Sequence, residues 1–195
     1  MRGLQSGIMA AALAAGLCGG ASAGAQSMAP MAAPAATAAS EPAKTFDQAL
    51  SETEKLMVGV AEKMPADKYS FAPTAGEFKG VRTFAEQVDH IIVANYRFYS
   101  GFGIDKPTVD VAALGKLTSK DEIVKALKDS FGYAHKATLS ITPENAYQPI
   151  TMFGHTGSRA AIAVHAVGHT EDIYGQLVEY LRMNGLVPPA SEPRK

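Results

Sequence analysis

The fold of this chain is constrained most by residues 158–184, where apolar side chains recur at the spacing of one long helix. Gly185 follows, a residue typical of the first position beyond a helix, and Pro188 and Pro189 come shortly after it. At about 1.5 Å per residue, the predicted helix is about 40 Å long. A helix of that length with one apolar stripe must bury the stripe against several neighbouring elements.

Three further segments show helical periodicity, and no segment shows a strong strand pattern. The first predicted helix covers residues 46–64. The second begins at a capping box, residues 83–86, and runs to about residue 102, while the third begins at another box, residues 119–122. Turn-rich links separate the helices, and residues 150–153 are at most a short extended piece. The sequence therefore predicts an all-α fold, a four-helix bundle.

The start of the chain has a different composition. Arg2 precedes an apolar run at residues 8–17, and small residues at 21–25 offer A-x-A cleavage sites. This layout predicts a signal peptide at 1–25, a disordered Ala/Pro-rich linker at 26–44, the bundle domain at 45–191 and a tail at 192–195. The protein is then expected to be periplasmic or secreted, with no integral membrane span after cleavage. The alternative is an Ala-rich start of a cytoplasmic protein.

Charge and cysteine content limit the chemistry. The net charge is −1, and no long run of Lys or Arg is present, which argues against nucleic acid or an anionic membrane as the main partner. Cys18, the only cysteine, lies inside the predicted signal peptide. Any metal site of the mature domain must therefore use His, Asp, Glu and water.

His165 and His169 lie one turn apart on the last predicted helix, on an inward stripe that also contains Ile162 and Ile173. Imidazoles stacked in this way can bind a divalent metal when other helices add ligands. They can also be buried, hydrogen-bonded core residues, and the periodicity leaves both interpretations open. Asp172, three residues after His169, is either a further candidate ligand or part of a solvated face.

The other three histidines have weaker patterns. His90 lies off the main apolar stripe of the second helix, so periodicity predicts a boundary residue that is hydrogen-bonded near the rim of the bundle. His135 flanks the stripe of the third helix and His155 lies in a link, and both are expected at the surface. The sequence has no Gly-rich phosphate loop and no nucleophile elbow, and it identifies no catalytic residue.

Two segments resemble the DinB/YfiT-like superfamily: TFAEQVDHIIVANYRFYSGFG on the second helix and HTEDIYGQLVEYLRMNGLVPPAS on the fourth. The links KMPADKYSFAPTAGE and MFGHTGSR are also similar to that group, so the resemblance covers residues 46–191. It implies a four-helix bundle, which in this superfamily often carries a metal site of three histidines. Relatives often dimerise, so a homodimer is one expected assembly.

The resemblance also implies where the ligands lie. The first ligand position falls on His90. The other two are spaced H-x-x-x-H, and the Gly-Gln pair at 175–176 sets them at His169 and at residue 173, which is isoleucine here. Since an aliphatic side chain cannot coordinate a metal, the resemblance implies a substitute, either His165 or Asp172.

Two functions of different class follow from the resemblance. One is an exported divalent-metal protein of unknown substrate, binding zinc, nickel or manganese through His90 and His169 with help from His165. It would be related to thiol transferases in which the metal activates a low-molecular-weight thiol. The other is a metal-free, degenerate bundle that binds a small ligand or a protein between its helices. The sequence leaves open whether the chain is an enzyme.

Overall fold

The computed structural model describes residues 41–152 and 154–193. The predicted signal peptide, the linker up to residue 40 and the last two residues of the predicted tail lie outside the described residues. Five α-helices lie within them: α1 Pro42–Lys63, α2 Phe84–Tyr99, α3 Val111–Leu114, α4 Lys120–Leu139 and α5 Arg159–Met183. Single turns of 3-10 helix lie at Ala66–Lys68, Ser100–Phe102 and Pro189–Ser191.

The four long helices form a bundle. α1 and α2 each pack against both α4 and α5, and the short α3 packs against α2. The core between them consists of large apolar side chains that are almost fully buried, among them Met57, Phe84, Leu127, Phe131 and Leu177. The prediction of an all-α four-helix bundle is confirmed. Within the described ranges, no helix is both long enough and apolar enough to cross a membrane.

α1 begins earlier than predicted, at Pro42 instead of residue 46. Proline suits the first turn of a helix because its missing N–H would have no acceptor there and its φ is already helical. Residues 42–44, which the sequence assigned to the linker, are therefore helical. The helix ends at Lys63, and Met64 adopts an extended backbone just before Pro65.

The predicted capping box at the start of α2 is present and sets where this helix begins. The Glu86 N–H donates to Thr83 Oγ1 at 3.2 Å, and the Thr83 N–H donates to Glu86 Oε2 at 2.7 Å. Further along α2, Asn95 Nδ2 donates to Ser130 Oγ of α4 at 3.1 Å. This bond pairs two buried polar groups across the contact between the helices, so neither is left without a partner.

The predicted inward stripe of α5 is partly wrong. His165 is exposed, and the helix instead buries Ala163, Ala166 and Thr170 in the same turns. Alanine side chains allow close approach of neighbouring helices, so the contact runs through these small residues and leaves His165 outside it. Thr170 tolerates burial because its hydroxyl donates to the Ala166 carbonyl at 2.9 Å. Ile173, further along, is buried as predicted.

A short antiparallel hairpin precedes α5, where the sequence predicted at most one extended piece. Its strands are β1 Pro149–Met152 and β2 His155–Ser158. Gly154, with φ of 76°, lies in the turn in a left-handed conformation that glycine adopts without strain. Arg159, the first residue of α5, donates from its guanidinium to the Phe102 carbonyl at 3.3 Å and so ties the start of α5 to the segment after α2.

His135 is not the surface residue that the sequence predicted. It is half-buried on α4, where Nδ1 donates to Asp47 Oδ1 at 2.6 Å and Nε2 donates to Glu54 Oε2 at 3.1 Å. Both carboxylates come from α1, so this side chain bridges two helices. Both bonds form together only when the imidazole carries both protons, which favours the charged form of His135.

The bridge predicts a pH-dependent contribution to stability. Burial alone would lower the pKa of His135, but the hydrogen bonds and charges of Asp47 and Glu54 outweigh it and raise this pKa above its usual value. A folded-state pKa above the unfolded one means that the stabilisation is complete below about pH 6.5 and is lost as the pH rises through the folded-state pKa. His135→Gln should therefore lower the free energy of unfolding by on the order of 1 kcal/mol at pH 6, and by less at pH 9.

Denaturant unfolding of the wild type and the variant at both pH values measures this difference. His155→Gln provides the control, because His155 is an exposed residue of the hairpin. This control should differ from the wild type by the same small amount at pH 6 and pH 9. A cost of His135→Gln that stays constant or grows with pH would contradict the bridge.

Candidate metal centre

α2 and α5 pack side by side and bring His90 and His169 into contact. The two Nε2 atoms are 3.1 Å apart, and the ring centroids are 5.0 Å apart with the ring planes inclined by 76°. Both side chains are half-buried at the edge of the core. Periodicity placed His90 at the rim of the bundle, and only the family resemblance paired it with His169.

The separation of the two nitrogens suits two chemical states. Two imidazoles bound to one tetrahedral zinc at about 2.0–2.1 Å place their nitrogens about 3.3 Å apart. A hydrogen bond from the N–H of one imidazole to the unprotonated nitrogen of the other gives about 2.9–3.0 Å. The observed 3.1 Å is close to both distances. If a metal ion replaced the shared proton, the distance between the two nitrogens would change by only about 0.2 Å.

The surroundings favour neutral imidazoles. Burial lowers the pKa of His90 below its usual range, and the positive charges of Arg82, His169 and Arg97 lower it further. Burial also lowers the pKa of His169, with contributions from His165 and Arg82, while Asp172 acts in the opposite direction. A neutral imidazole keeps a free lone pair near pH 7, and a metal ligand needs that lone pair.

Phe98 forms the apolar side of the histidine pair. Its ring lies edge-on to His165 and His169, with centroid separations of 5.1 and 5.5 Å. His165 stacks nearly parallel to His169, with centroids 6.2 Å apart and planes inclined by 12°. His165 is thus adjacent to the pair on the same helix, but its ring lies beside His169 and does not converge with it on a common point.

The third position implied by the resemblance contributes no ligand. Ile173 is only 4% exposed and belongs to the hydrophobic core. Asp172 is exposed and accepts a hydrogen bond from Gln176 Nε2 at 3.1 Å, so its carboxylate is engaged one turn further along α5. Over residues 41–152 and 154–193, no group of three or more His, Asp or Glu side chains is arranged to hold a metal ion. The preformed part of the candidate site is the pair His90 and His169.

A cavity of about 670 Å³ runs along the face of α2 that carries His90. Arg82, Asp89 and Arg97 line it together with His90. Asp89 is 4% exposed, and its Oδ1 has no hydrogen-bond partner among the described residues. Burial, and then the charge of Glu86, raise the pKa of Asp89 to about 7. Sequence reasoning did not single out this carboxyl group, because one acidic residue on a helix normally indicates a solvated face.

A larger cavity, about 890 Å³, lies elsewhere, between the end of α2, the following link and α4. Tyr96 and Tyr133 line it with their ring centroids 5.2 Å apart, and no histidine borders it. Volume alone would favour this cavity as the functional one. The chemistry favours the smaller cavity, because His90 of the imidazole pair and the buried Asp89 both line it.

Comparison with known proteins agrees with this fold. A family model described as the DinB superfamily matches residues 49–177. The crystal structure of a DinB-like protein from Bacillus cereus is similar, with a TM-score of 0.64 at 18% identity over 75% of this chain and 95% of that chain. A DinB-like protein from Bacillus subtilis matches at 19% identity over 77% of this chain and 99% of that one, with a TM-score of 0.49. No curated protein matches the sequence.

The electrostatics of the pair can be tested without a metal. In chelator-treated protein, the pKa of His90 and that of His169 are expected below the ordinary value of about 6.5, mainly because both rings are partly buried. NMR titration of the ring-proton signals measures both. Arg82→Gln should raise both pKa values, because its charge lowers each of them.

Lys55→Gln is the matched control, since it removes one positive charge from an exposed position on α1, a helix that does not line the cavity. Lys55→Gln should leave the pKa values of His90 and His169 unchanged. A wild-type His90 that titrates at or above the ordinary value would show that the pair is more solvated than the structure indicates.

Proposed function

Because the chain belongs to the DinB superfamily, we propose that it is a divalent-metal-binding member that uses His90 and His169 as ligands. The observation that supports this most directly is the 3.1 Å separation of their Nε2 atoms. Two neutral imidazoles at that distance are suited to a borderline metal such as zinc or nickel, whereas manganese, the third candidate, would need oxygen ligands in the remaining positions. The lowered pKa of each histidine reduces competition from protons at neutral pH.

His165 is the proposed third ligand. It lies one turn before His169 and is exposed, but its ring stacks on His169 and contacts Phe98, so it would have to rotate away from this position to reach a metal held by the pair. Water or a substrate atom would occupy the remaining positions, an arrangement that suits Lewis-acid chemistry. In related thiol transferases such a metal activates a low-molecular-weight thiol, and activation of a thiol or of water is the chemistry proposed for this site.

The proposal includes export. The composition of residues 1–25 is typical of a signal peptide, and the Ala/Pro-rich residues that follow would serve as a linker up to the bundle, whose first helix begins at Pro42. The protein would then act in the periplasm or outside the cell. Low-molecular-weight thiols are abundant in the cytoplasm, so an exported member would have a substrate different from that of cytoplasmic thiol transferases.

A second candidate function is a metal-free bundle that binds a small ligand or a protein. The observation that favours it is Ile173, which occupies the position of the family's third ligand and is buried in the core. Under this alternative, His90 and His169 are linked by a hydrogen bond, and the adjacent cavity is the functional feature.

Metal analysis separates the two candidates. The domain purified from its native compartment without a tag or a chelator should contain about one divalent metal ion per chain. His169→Ala should abolish that content, and its melting temperature should no longer rise when metal is added. His155→Ala, which changes an exposed histidine of the hairpin, should retain the metal of the wild type. Equal melting curves with and without chelator in all three proteins would exclude the metal proposal.

Ile173→His tests the missing position directly. If the site lacks only its third histidine, this variant should bind zinc at least tenfold more tightly than the wild type, as titration calorimetry would show. Ile173→Gln is the control for burying a polar side chain at this position, and it should destabilise the fold without the gain. A wild type without metal beside a tightly binding Ile173→His variant would mean that the natural site has been lost.

A further inference from the structure

The cavity beside His90 has positive charge at two separate places, one just before α2 and one within it. Arg82 lies eight residues before His90 and Arg97 lies seven residues after it. At about 1.5 Å per residue, Arg97 is about 10 Å from His90 along the helix, while Arg82 precedes the first turn of α2 on the other side of His90. Both arginines line the 670 Å³ cavity, called the groove below, so it has a cation on each side of His90 along the chain.

Both guanidinium groups are available to a ligand. Each belongs to an exposed residue that lines the groove. Neither forms an ion pair with any residue in the described ranges. Glu86 also lines the groove and remains negatively charged, because the N–H and hydroxyl of Thr83 donate to its carboxylate and lower its pKa. The two arginines outnumber this one carboxylate.

Arg82 is also held in position by α5. The Tyr180 hydroxyl donates to the Arg82 carbonyl at 2.9 Å, which fixes the backbone of Arg82 just before α2 begins. The cation at this end of the groove therefore extends from an anchored backbone. A site with an anchored backbone loses less conformational freedom when it binds a ligand.

The middle of the groove has a buried polar group without a partner. Asp89 lines the groove next to His90, is 4% exposed, and has an Oδ1 atom that no described residue satisfies. Leaving such a group unpaired is costly, and a ligand that hydrogen-bonds to it would remove that cost. The unpaired carboxyl group of Asp89 is thus a second indication of a bound ligand, and it does not depend on the two arginines.

We propose that this groove binds an elongated small molecule with a carboxylate at each end, one carboxylate on Arg82 and the other on Arg97. Its middle lies over His90 and meets Asp89 through a hydrogen-bonding group. This proposal rests on the proposed function only in that the middle of the ligand would lie over the proposed metal ligand His90. The two arginines require no metal to bind the carboxylates. Guanidinium groups suit carboxylates because they can donate two parallel hydrogen bonds.

The test uses chelator-treated full-length protein, so that the metal proposal can fail without affecting it. Titration calorimetry with the unbranched dicarboxylates from succinate to sebacate should show one preferred length. The dicarboxylate of that length with a hydroxyl group at mid-chain should bind more tightly still, because it can hydrogen-bond to Asp89. The best of them should bind more tightly than octanoate, a monocarboxylate of comparable length. Binding should weaken as salt is added, because the contacts are exposed ion pairs.

Arg82→Gln and Arg97→Gln should each weaken the preferred dicarboxylate roughly three- to tenfold and bring its affinity close to that of octanoate. Lys55→Gln changes the net charge equally and should bind like the wild type. The proposal is overturned if no dicarboxylate binds, if dicarboxylates bind no better than octanoate, or if neither arginine variant differs from Lys55→Gln. Binding that appears only after metal is added would place the carboxylate on the metal and would also overturn it.

Discussion

The burial of α2 is the constraint on which the rest of the structure depends. Ten of its sixteen residues are buried, because α4 and α5 cover it on two sides. A helix enclosed in this way can neither rotate nor slide without exposing apolar surface, at about 25 cal/mol for each Å². Its register is fixed further by the Thr83 capping box and by the bond from Asn95 to Ser130. His90 is therefore presented to α5 at one defined height, and its contact with His169 follows.

The sequence predicted those parts of the fold that depend on local pattern. The box at Thr83 appears as predicted, and the inward residues of α4, such as Leu127 and Phe131, are buried. Prediction failed where a neighbouring helix decides the outcome. On α5 the core contact runs through alanines. Because alanine is less hydrophobic than the larger Ile162, the predicted inward stripe was shifted by one position and wrongly included His165. His135 was missed for the same reason, since both of its carboxylate partners belong to α1.

The candidate site shows the same division. Periodicity favoured His165 and His169 and left His90 at the rim, whereas the structure joins His90 to His169 and leaves His165 exposed. Only the family resemblance indicated the pair that the structure brings into contact, because its two members come from helices far apart in sequence. The buried Asp89 had no signal in the sequence, since its burial depends on the packing around α2. The contact between His90 and His169 does not involve position 173, so an isoleucine at that position leaves the contact in place.

The bond from Tyr180 to Arg82 has a consequence for how the two ends of this region communicate. Tyr180 and His169 belong to the same helix, α5, so that helix positions both the backbone of Arg82 and the imidazole of His169. A molecule that shifts the backbone of Arg82 would therefore also act on the helix that carries His169. By thermodynamic reciprocity, any factor by which one proposed occupant alters the affinity for the other must be the same in both directions. A single tyrosine hydroxyl would thus connect two proposed sites that can each be occupied alone.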